Sequence, residues 1–409
     1  MSYLDPAIAV IDPVAAAGPY GREGAAIGFR VICVLTQEYR TPYVTQTFDP
    51  ADFSEVYQHS CIDETVAFLK SRSVVAVVPG APPSLKIVDV LAESLGLIGN
   101  PTESLEARRN KRVMKEYWTR HEVPCAAFHE SGDLESVISW ADGRGYPVVL
   151  KPNASVGGVH VFVCANRQEV VDAFNVIVSR ADPYHQQFST VLAEEYLDGD
   201  EYFMDLAHTG GGEAMPVAFA KYEKIQRNGN ASIYKNMFSL PLDDPIALAA
   251  LPYVRSVNDA LGVRYGINDT EFKMTSRGPR VVEVNNRLPG ASVPLMIQRC
   301  SGLNVFQENI RIFVDGRRTS GDYHFERHYN ICCLINDEPG VVQGYAGLDE
   351  VRELLSYDGE RMIAPQGVHW PVTRDLDGCW GLIRLVHEDR EQLSRDAEAV
   401  HGIMRLLVA

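Results

Sequence analysis

The residues best able to do chemistry lie in one run, Thr270-Glu271-Phe272-Lys273-Met274-Thr275-Ser276-Arg277-Gly278-Pro279-Arg280-Val281-Val282-Glu283-Val284-Asn285-Asn286-Arg287. Two apolar-rich segments flank a Ser-Arg-Gly-Pro turn signal, so the run reads as a β-hairpin. Folded about Arg277, it sets Glu271 opposite Glu283. Carboxylates facing each other on paired strands lie only ~5 Å apart and repel, a repulsion that a divalent cation between them removes. Asn285 shares the strand face of Glu283 and adds a third oxygen. Oxygen ligands without His or Cys favour Mg2+ or Mn2+ over zinc. If the strand continues, Arg287 faces the same way and aims a fixed positive charge at any anion held there. The competing reading is an exposed edge hairpin with scattered charges.

These residues need a scaffold, and the chain is long enough for two or three domains with a real core. With 38 Lys and Arg against 54 Asp and Glu, the net charge is -16, which disfavours nucleic acid and anionic membranes as partners. An anionic ligand therefore needs locally concentrated Lys and Arg. The eight cysteines form no C-x-x-C pair and no zinc spacing, as expected of free thiols in a reducing cytosol. Adjacent Cys332 and Cys333 read as strand core. The N-terminus has no signal-peptide pattern, and no run of 18 apolar residues occurs, so a cytoplasmic protein without membrane contacts is expected.

Residues 1–105 alternate apolar strands (7–11, 31–35, 74–78) with helical stretches, including one over 84–95 that ends at Gly96. This rhythm predicts an α/β N-terminal domain with a Rossmann-like parallel sheet. No G-x-G-x-x-G follows the first strand, and the Gly18-Pro19-Tyr20-Gly21 loop reads equally as a turn or as part of a substrate wall. Residues 106–191 read as a linker helix, starting near Leu105 and carrying Lys111, followed by a small flap or lid unit. Within that unit, strand 147–152 and strand 159–164 flank the small-residue loop Asn153-Ala154-Ser155-Val156-Gly157-Gly158. Glycines permit the dihedrals that align successive backbone N–H groups toward phosphates. A mixed α+β core is expected over 192–318. A C-terminal α+β piece follows over 319–409, with strands near 329–335 and 380–386 and a terminal helix.

Taken in order, Lys111, then Lys151 with Gly157 and Gly158, then Glu194-Glu195-Tyr196-Leu197-Asp198-Gly199-Asp200-Glu201, then Glu283-Val284-Asn285-Asn286-Arg287 resemble the ATP-grasp superfamily of carboxylate-amine ligases, across roughly residues 75–310. Within it the chain is most similar to dipeptide-forming, bacilysin-synthetase-like L-amino-acid ligases. Biotin-carboxylase-like enzymes share much of the pattern. The resemblance implies an ATP-grasp fold and an ATP-dependent ligase joining a carboxylate to an amino-acid amine through an acyl phosphate. It also implies small-molecule partners, natural-product biosynthesis as a setting and a homodimer as one expected state. By the same resemblance Lys111 and Lys151 contact ATP phosphates under the Ser155, Gly157 and Gly158 flap. Glu194, Tyr196, Leu197 and Glu201 hold adenine and ribose, and Glu271, Glu283 and Asn285 hold Mg2+. Arg287 and the backbone of Gly290 steady the reacting carboxylate.

Ala291 stands where some relatives place a bulky aromatic, which implies a wider amino-acid pocket. The loop Pro79-Gly80-Ala81-Pro82-Pro83 lacks a glutamate that relatives often carry for the substrate amine. Lys221, Tyr222 and Tyr234 face substrate or simply pack. The alternatives are another ATP-grasp enzyme, biotin-carboxylase-like or D-alanine:D-alanine-ligase-like, and a non-catalytic nucleotide-binding protein.

Overall fold

Strands covered on both faces are apolar at nearly every position, and this accounts for the N-terminal sheet. The computed structural model describes residues 6–39, 41–155, 157–181, 186–212, 214–227, 231–318 and 324–409. In it β1 (Ala7–Ile11), β2 (Arg30–Leu35), β3 (Glu55–Gln58) and β4 (Val74–Pro79) form a parallel sheet in the order β3-β2-β1-β4. Ile8, Val10, Val31, Cys33, Ala76 and Val78 face the central core of the molecule. Ala7, Ala9, Ile11, Ile32, Val34 and Val77 face a second core with Leu91 and Ala92 of the helix Val88–Leu95. Gly96 ends that helix at φ 67°, the left-handed cap that glycine adopts without steric cost. The sequence does not announce β3, because this edge strand alternates exposed and partly covered residues instead of forming an apolar run.

The lid has its own core. Its strands β5 (Phe128–Ser131), β6 (Val148–Lys151), β7 (Phe162–Cys164) and β8 (Val191–Glu195) pack with the helices Leu134–Arg144 and Arg167–Ser179 around Val137, Leu150, Phe174 and Ile177. The strand expected from residue 159 begins only at Phe162. Gly157, Gly158 and His160 have φ of 64°, 75° and 58°, which keeps the preceding residues in turns. The helix expected from Leu105 begins at Lys111. The Asn110 side chain accepts from the backbone N–H of Arg112 and Val113 at 3.0 and 3.2 Å, and 3-10 turns occupy the residues before it.

Beyond the lid run β9 (Asp200–Thr209), β10 (Met215–Arg227), β11 (Ala231–Leu240), β12 (Tyr265–Thr275), β13 (Gly278–Asn285) and β14 (His328–Leu334). The tail adds β15 (Gly340–Ala346), β16 (Tyr357–Met362), β17 (His369–Trp370), β18 (Gly381–His387) and β19 (Arg405–Val408). One twelve-stranded sheet runs β13-β12-β9-β10-β11-β7-β6-β8-β5, with β14 joined to β11 and β18, and β16 to β18. Hydrogen bonding thus continues from lid through core to tail, across residues 191 and 318. The C-terminal helix Arg390–Ile403 is not the last element, since β19 follows it and pairs with β15. All eight cysteines are free thiols, with Cys332 and Cys333 buried in β14. Among the described residues no helix is long and apolar enough to cross a membrane.

Candidate active site

The acidic hairpin owes its register to an irregularity. Its turn is Ser276-Arg277, with Thr275 paired to Gly278 and Phe272 to Val281, so it does not fold symmetrically about Arg277. The pairing shifts between Phe272 and Glu271, and Glu271 pairs with Glu283 and Asp269 with Asn285. Val282 is the extra residue of this β-bulge. Without it the two-residue turn would set Val282 opposite Glu271 and send Glu283 to the other face. The strand then ends at Asn285, so Arg287 reaches the same cavity from a bend instead of from a continued strand.

Two adjoining cavities meet at this hairpin. The wider one, ≈ 370 Å³, is lined by Lys111, Lys151, Ser155, Gly157, Gly158, Glu194, Tyr196, Leu197 and Glu201 together with Glu271 and Glu283. The narrower one, ≈ 90 Å³, is lined by Asp269, Glu271, Glu283, Asn285, Arg287, Gly290 and Ala291, facing apolar residues that include Val14, Ala17 and Met237. Every residue assigned above to ATP, metal or the reacting carboxylate, and Ala291, therefore borders one cavity or the other. Tyr222 and Tyr234 border both, whereas Lys221 borders neither and pairs with Asp200 at 2.6 Å. Val156 of the flap loop lies outside the described residues.

On the wide side the charges compensate one another. Lys111, at the first turn of its helix, forms an ion pair with Glu283 at 2.7 Å and donates to the Ser155 carbonyl at 2.6 Å. Glu194 is held by two ammoniums, Lys151 at 2.9 Å and Lys115 at 3.1 Å, so its carboxylate is already engaged by cations. Burial alone would raise the pKa of both carboxyls. The lysines outweigh it, holding Glu194 below its ordinary range and Glu283 down at about 2. Burial depresses Lys115, which has no exposed surface. Lys224 pairs with Glu201, and Lys273 donates to the Leu197 carbonyl at 3.1 Å. The flap is braced from the tail of the chain, where the Leu376 N–H donates to the Gly157 carbonyl at 3.0 Å. At Gly158 a Cβ would press to 3.3 Å from the Tyr234 ring.

The other side is crowded with buried carboxyl groups. Burial, with Glu283 and Asp269 adding to it, pushes the Glu271 carboxyl well up. Burial also raises Asp269 to about 7, with Arg287 opposing. Asp205, paired with Asp269 across β9 and β12, is fully buried and neither of its carboxylate oxygens has a hydrogen-bond partner. This donor set fits a hard divalent cation: two opposed carboxylates, with the Asn285 amide nitrogen turned to Asp269 and Glu283 at 3.2 Å each and its oxygen left to a cation. Among the described residues no three His, Cys, Asp or Glu side chains form a closed cage. Mg2+ takes one or two carboxylates and completes its shell with phosphates and water.

Several of these groups are absent from the sequence-level site. Lys115 had a signal, lying one helical turn after Lys111. Asp269 had one too, two residues before Glu271 on the same face. Asp205 had none, since only the β9–β12 pairing brings it there. The wall also differs from expectation: Val14, Ala15, Ala16 and Ala17 line the cavity, while Gly18 packs against Thr47 and the helix Tyr20–Ala26 begins two residues later.

Comparison with known proteins matches residues 144–294 to the ATP-grasp domain. The chain is 27% identical over 290 residues to dapdiamide A synthase of Enterobacter agglomerans, covering 69% of this chain and 68% of that one. It is 23% identical over 225 residues to the L-arginine-specific L-amino acid ligase of Bacillus subtilis, covering 55% and 54%. The crystal structure of an L-amino acid ligase from Bacillus licheniformis superposes with a TM-score of 0.81 at 17% identity, over 100% of both chains. Residues 144–294 thus match an ATP-grasp domain, and the chain as a whole shares the fold of that L-amino acid ligase.

Proposed function

We propose that this chain is an ATP-dependent carboxylate-amine ligase that joins one amino acid, through its carboxylate, to the amine of a second, releasing ADP and phosphate. The observation that carries the reading is the meeting of a lysine- and glycine-lined cavity with an apolar, arginine-bearing one at the Glu271–Glu283 pair. The similarity to dapdiamide A synthase and to L-amino acid ligases supports it. A carboxylate oxygen is a poor leaving group; phosphorylation makes an acyl phosphate that an amine can attack. Lys111 and Lys151 place compact positive charges where the triphosphate enters, and the Gly157-Gly158 flap approaches it without side-chain collision. Glu194 positions both Lys151 and Lys115. Glu201, Tyr196 and Leu197 border the wide cavity around Lys273 and face the nucleoside. Glu271, Glu283 and Asn285 hold Mg2+, with Mn2+ as substitute, and the metal supplies charge neutralisation at the transferring phosphoryl group. Arg287, with the backbone at Gly290, stabilises the oxyanion on the reacting carbon. Covering the cavity keeps water from the acyl phosphate. Four units serve this chemistry: the N-terminal wall (1–105), linker and lid (106–191), core (192–318) and tail (319–409). A cytoplasmic setting in antibiotic-type biosynthesis follows from the same reading.

The test is Mg2+-dependent phosphate release over all pairs of L-amino acids, with the condensed product identified by mass. Amide formation with one ADP per product is expected. Tight ATP binding with no pair stimulating release would defeat the reading in favour of a non-catalytic nucleotide binder.

A further inference from the structure

A third cavity, ≈ 60 Å³, meets the other two at Glu283, the one side chain among the described residues that borders all three. It shares Lys111 and Ser155 with the wide cavity and Asn285 and Pro82 with the narrow one. Its charged lining is Lys86, Arg108, Arg109 and Lys111 against the single carboxylate of Glu283. Three of these cations are already engaged. Arg108 is buried on Asp89 at 2.8 Å, Lys111 rests on Glu283 at 2.7 Å, and Arg109 pairs with the half-exposed Glu106 at 3.1 Å. Lys86 is exposed and has neither an ion pair nor a hydrogen bond among the described residues. The cavity therefore runs from a buried cation at the hairpin to an uncommitted one at the surface.

On the ligase reading above, the transferred phosphoryl group sits where the three cavities meet. When the amine attacks the acyl phosphate, a C–N bond forms and the C–O bond to the phosphoryl group breaks. Hydrogen phosphate departs with the bonding pair and the proton of the nitrogen. At that moment ADP fills the wide cavity and the amide the narrow one. Resting on that reading, we propose that the third cavity binds the departing inorganic phosphate and leads it out, from Lys111 to Lys86 and Arg109. A dianion crossing a passage without cations would pay the full cost of leaving water behind, and cations spaced along the wall remove most of that cost. A separate exit also lets phosphate leave while ADP is still bound. Once it has left, the amide cannot return to the acyl phosphate.

The probe is inorganic phosphate added to the ligase reaction, with ADP release followed on an active amino-acid pair and potassium chloride holding the ionic strength constant. Phosphate should inhibit the wild type. Lys86→Ala should raise its inhibition constant by about 5- to 10-fold, between the worth of an exposed ion pair and that of a charge-assisted hydrogen bond. Lys86→Glu, which reverses the charge, should raise it further, while KM for ATP and for both amino acids should hold. Lys86 lies at the surface, so both variants are expected to fold. A wild type indifferent to phosphate, or inhibition unchanged in both variants, overturns the inference and leaves the ligase reading intact. A rise confined to KM for the amine substrate overturns it too, giving the cavity to that substrate's carboxylate. If no amino-acid pair supports ADP release, the ligase reading itself has failed and the phosphate site falls with it.

Discussion

The two cavities differ in how their charges are balanced. Around the wide one three buried carboxylates have an ammonium beside them: Glu283 has Lys111, Glu194 has Lys115 and Lys151, and Glu201 has Lys224, whereas Glu271, which borders both cavities, accepts from the Tyr222 hydroxyl at 3.3 Å. Around the narrow one Asp205 has no hydrogen-bond partner, and Asp269 and Arg287 each keep a buried atom unused. The difference is one of function. On the proposed reading the lysines of the wide side rest on internal partners, and ligand entry would exchange one partner for another, with Lys111 turning from Glu283 to a phosphate and leaving Glu283 to hold a metal. Such an exchange avoids ever leaving a bare charge buried.

The strongest way to break this picture is at the shared carboxylates. Glu283→Ala, and likewise Glu271→Ala, should lower kcat by roughly 10³-fold, because a metal's several kcal/mol of transition-state stabilisation is lost. The fold should survive, as judged by far-UV circular dichroism. Near wild-type Mg2+-dependent turnover in either variant would remove that residue from the metal site. A second large effect concerns stability. Glu194→Gln strips the counter-charge from two buried lysines at once, and breaking a buried pair costs about 3–5 kcal/mol. Urea denaturation should show a loss of this order. A loss below about 0.5 kcal/mol would mean that the wide side is not held by its ion pairs.

The wide side was also the more legible in the sequence, for a physical reason. Lys111, Lys151 and the glycine flap act as separate local signals, each readable within its own helix or loop. The Glu271–Glu283 opposition was readable because a hairpin is local, although the Val282 bulge that produces it was not. The first strands showed their burial as apolar runs, whereas β3, at the edge, did not. The narrow side depends on long-range pairing. Asp205 reaches Asp269 only through β9 and β12, and the wall comes from Val14–Ala17 at the other end of the chain. A lone Asp in a strand reads as surface until its neighbours are known.

A smaller effect tests whether the narrow side tolerates uncompensated carboxylates elsewhere. Asp12 lies two residues before Val14 in the wall, and its backbone carbonyl accepts from the Ala81 N–H at 2.8 Å. Its buried carboxylate accepts from the Thr36 N–H and hydroxyl at 2.7 and 2.8 Å, yet burial raises it to about 6. A carboxyl raised in the fold favours the protonated state, so its contribution is full below about pH 4 and is lost as pH rises through 6. The shift corresponds to at most about 3 kcal/mol. Asp12→Asn should therefore gain stability relative to wild type as pH climbs from 4 to 8, measured as the difference between their urea midpoints. A constant difference would mean that Asp12 ionises freely in the fold.

The smallest effect concerns fit at Ala291, which borders the narrow cavity at 6% exposure with φ 53°. A side chain here limits the room beside Arg287 and Gly290, and a non-glycine residue in this left-handed conformation carries about 1 kcal/mol of strain. Two opposite substitutions separate the terms. Ala291→Gly should relieve strain, raising the denaturation midpoint slightly, and should broaden the range of side chains accepted. Ala291→Trp keeps the strained backbone but fills the cavity, so preference should move toward glycine or alanine, with bulky amino acids penalised by about 1–3 kcal/mol in kcat/KM. ATP affinity should hold in both, because Ala291 borders only the narrow side. If Ala291→Trp instead lost activity equally on every amino-acid pair, the residue would act on the backbone around Arg287 and not on the substrate's side chain.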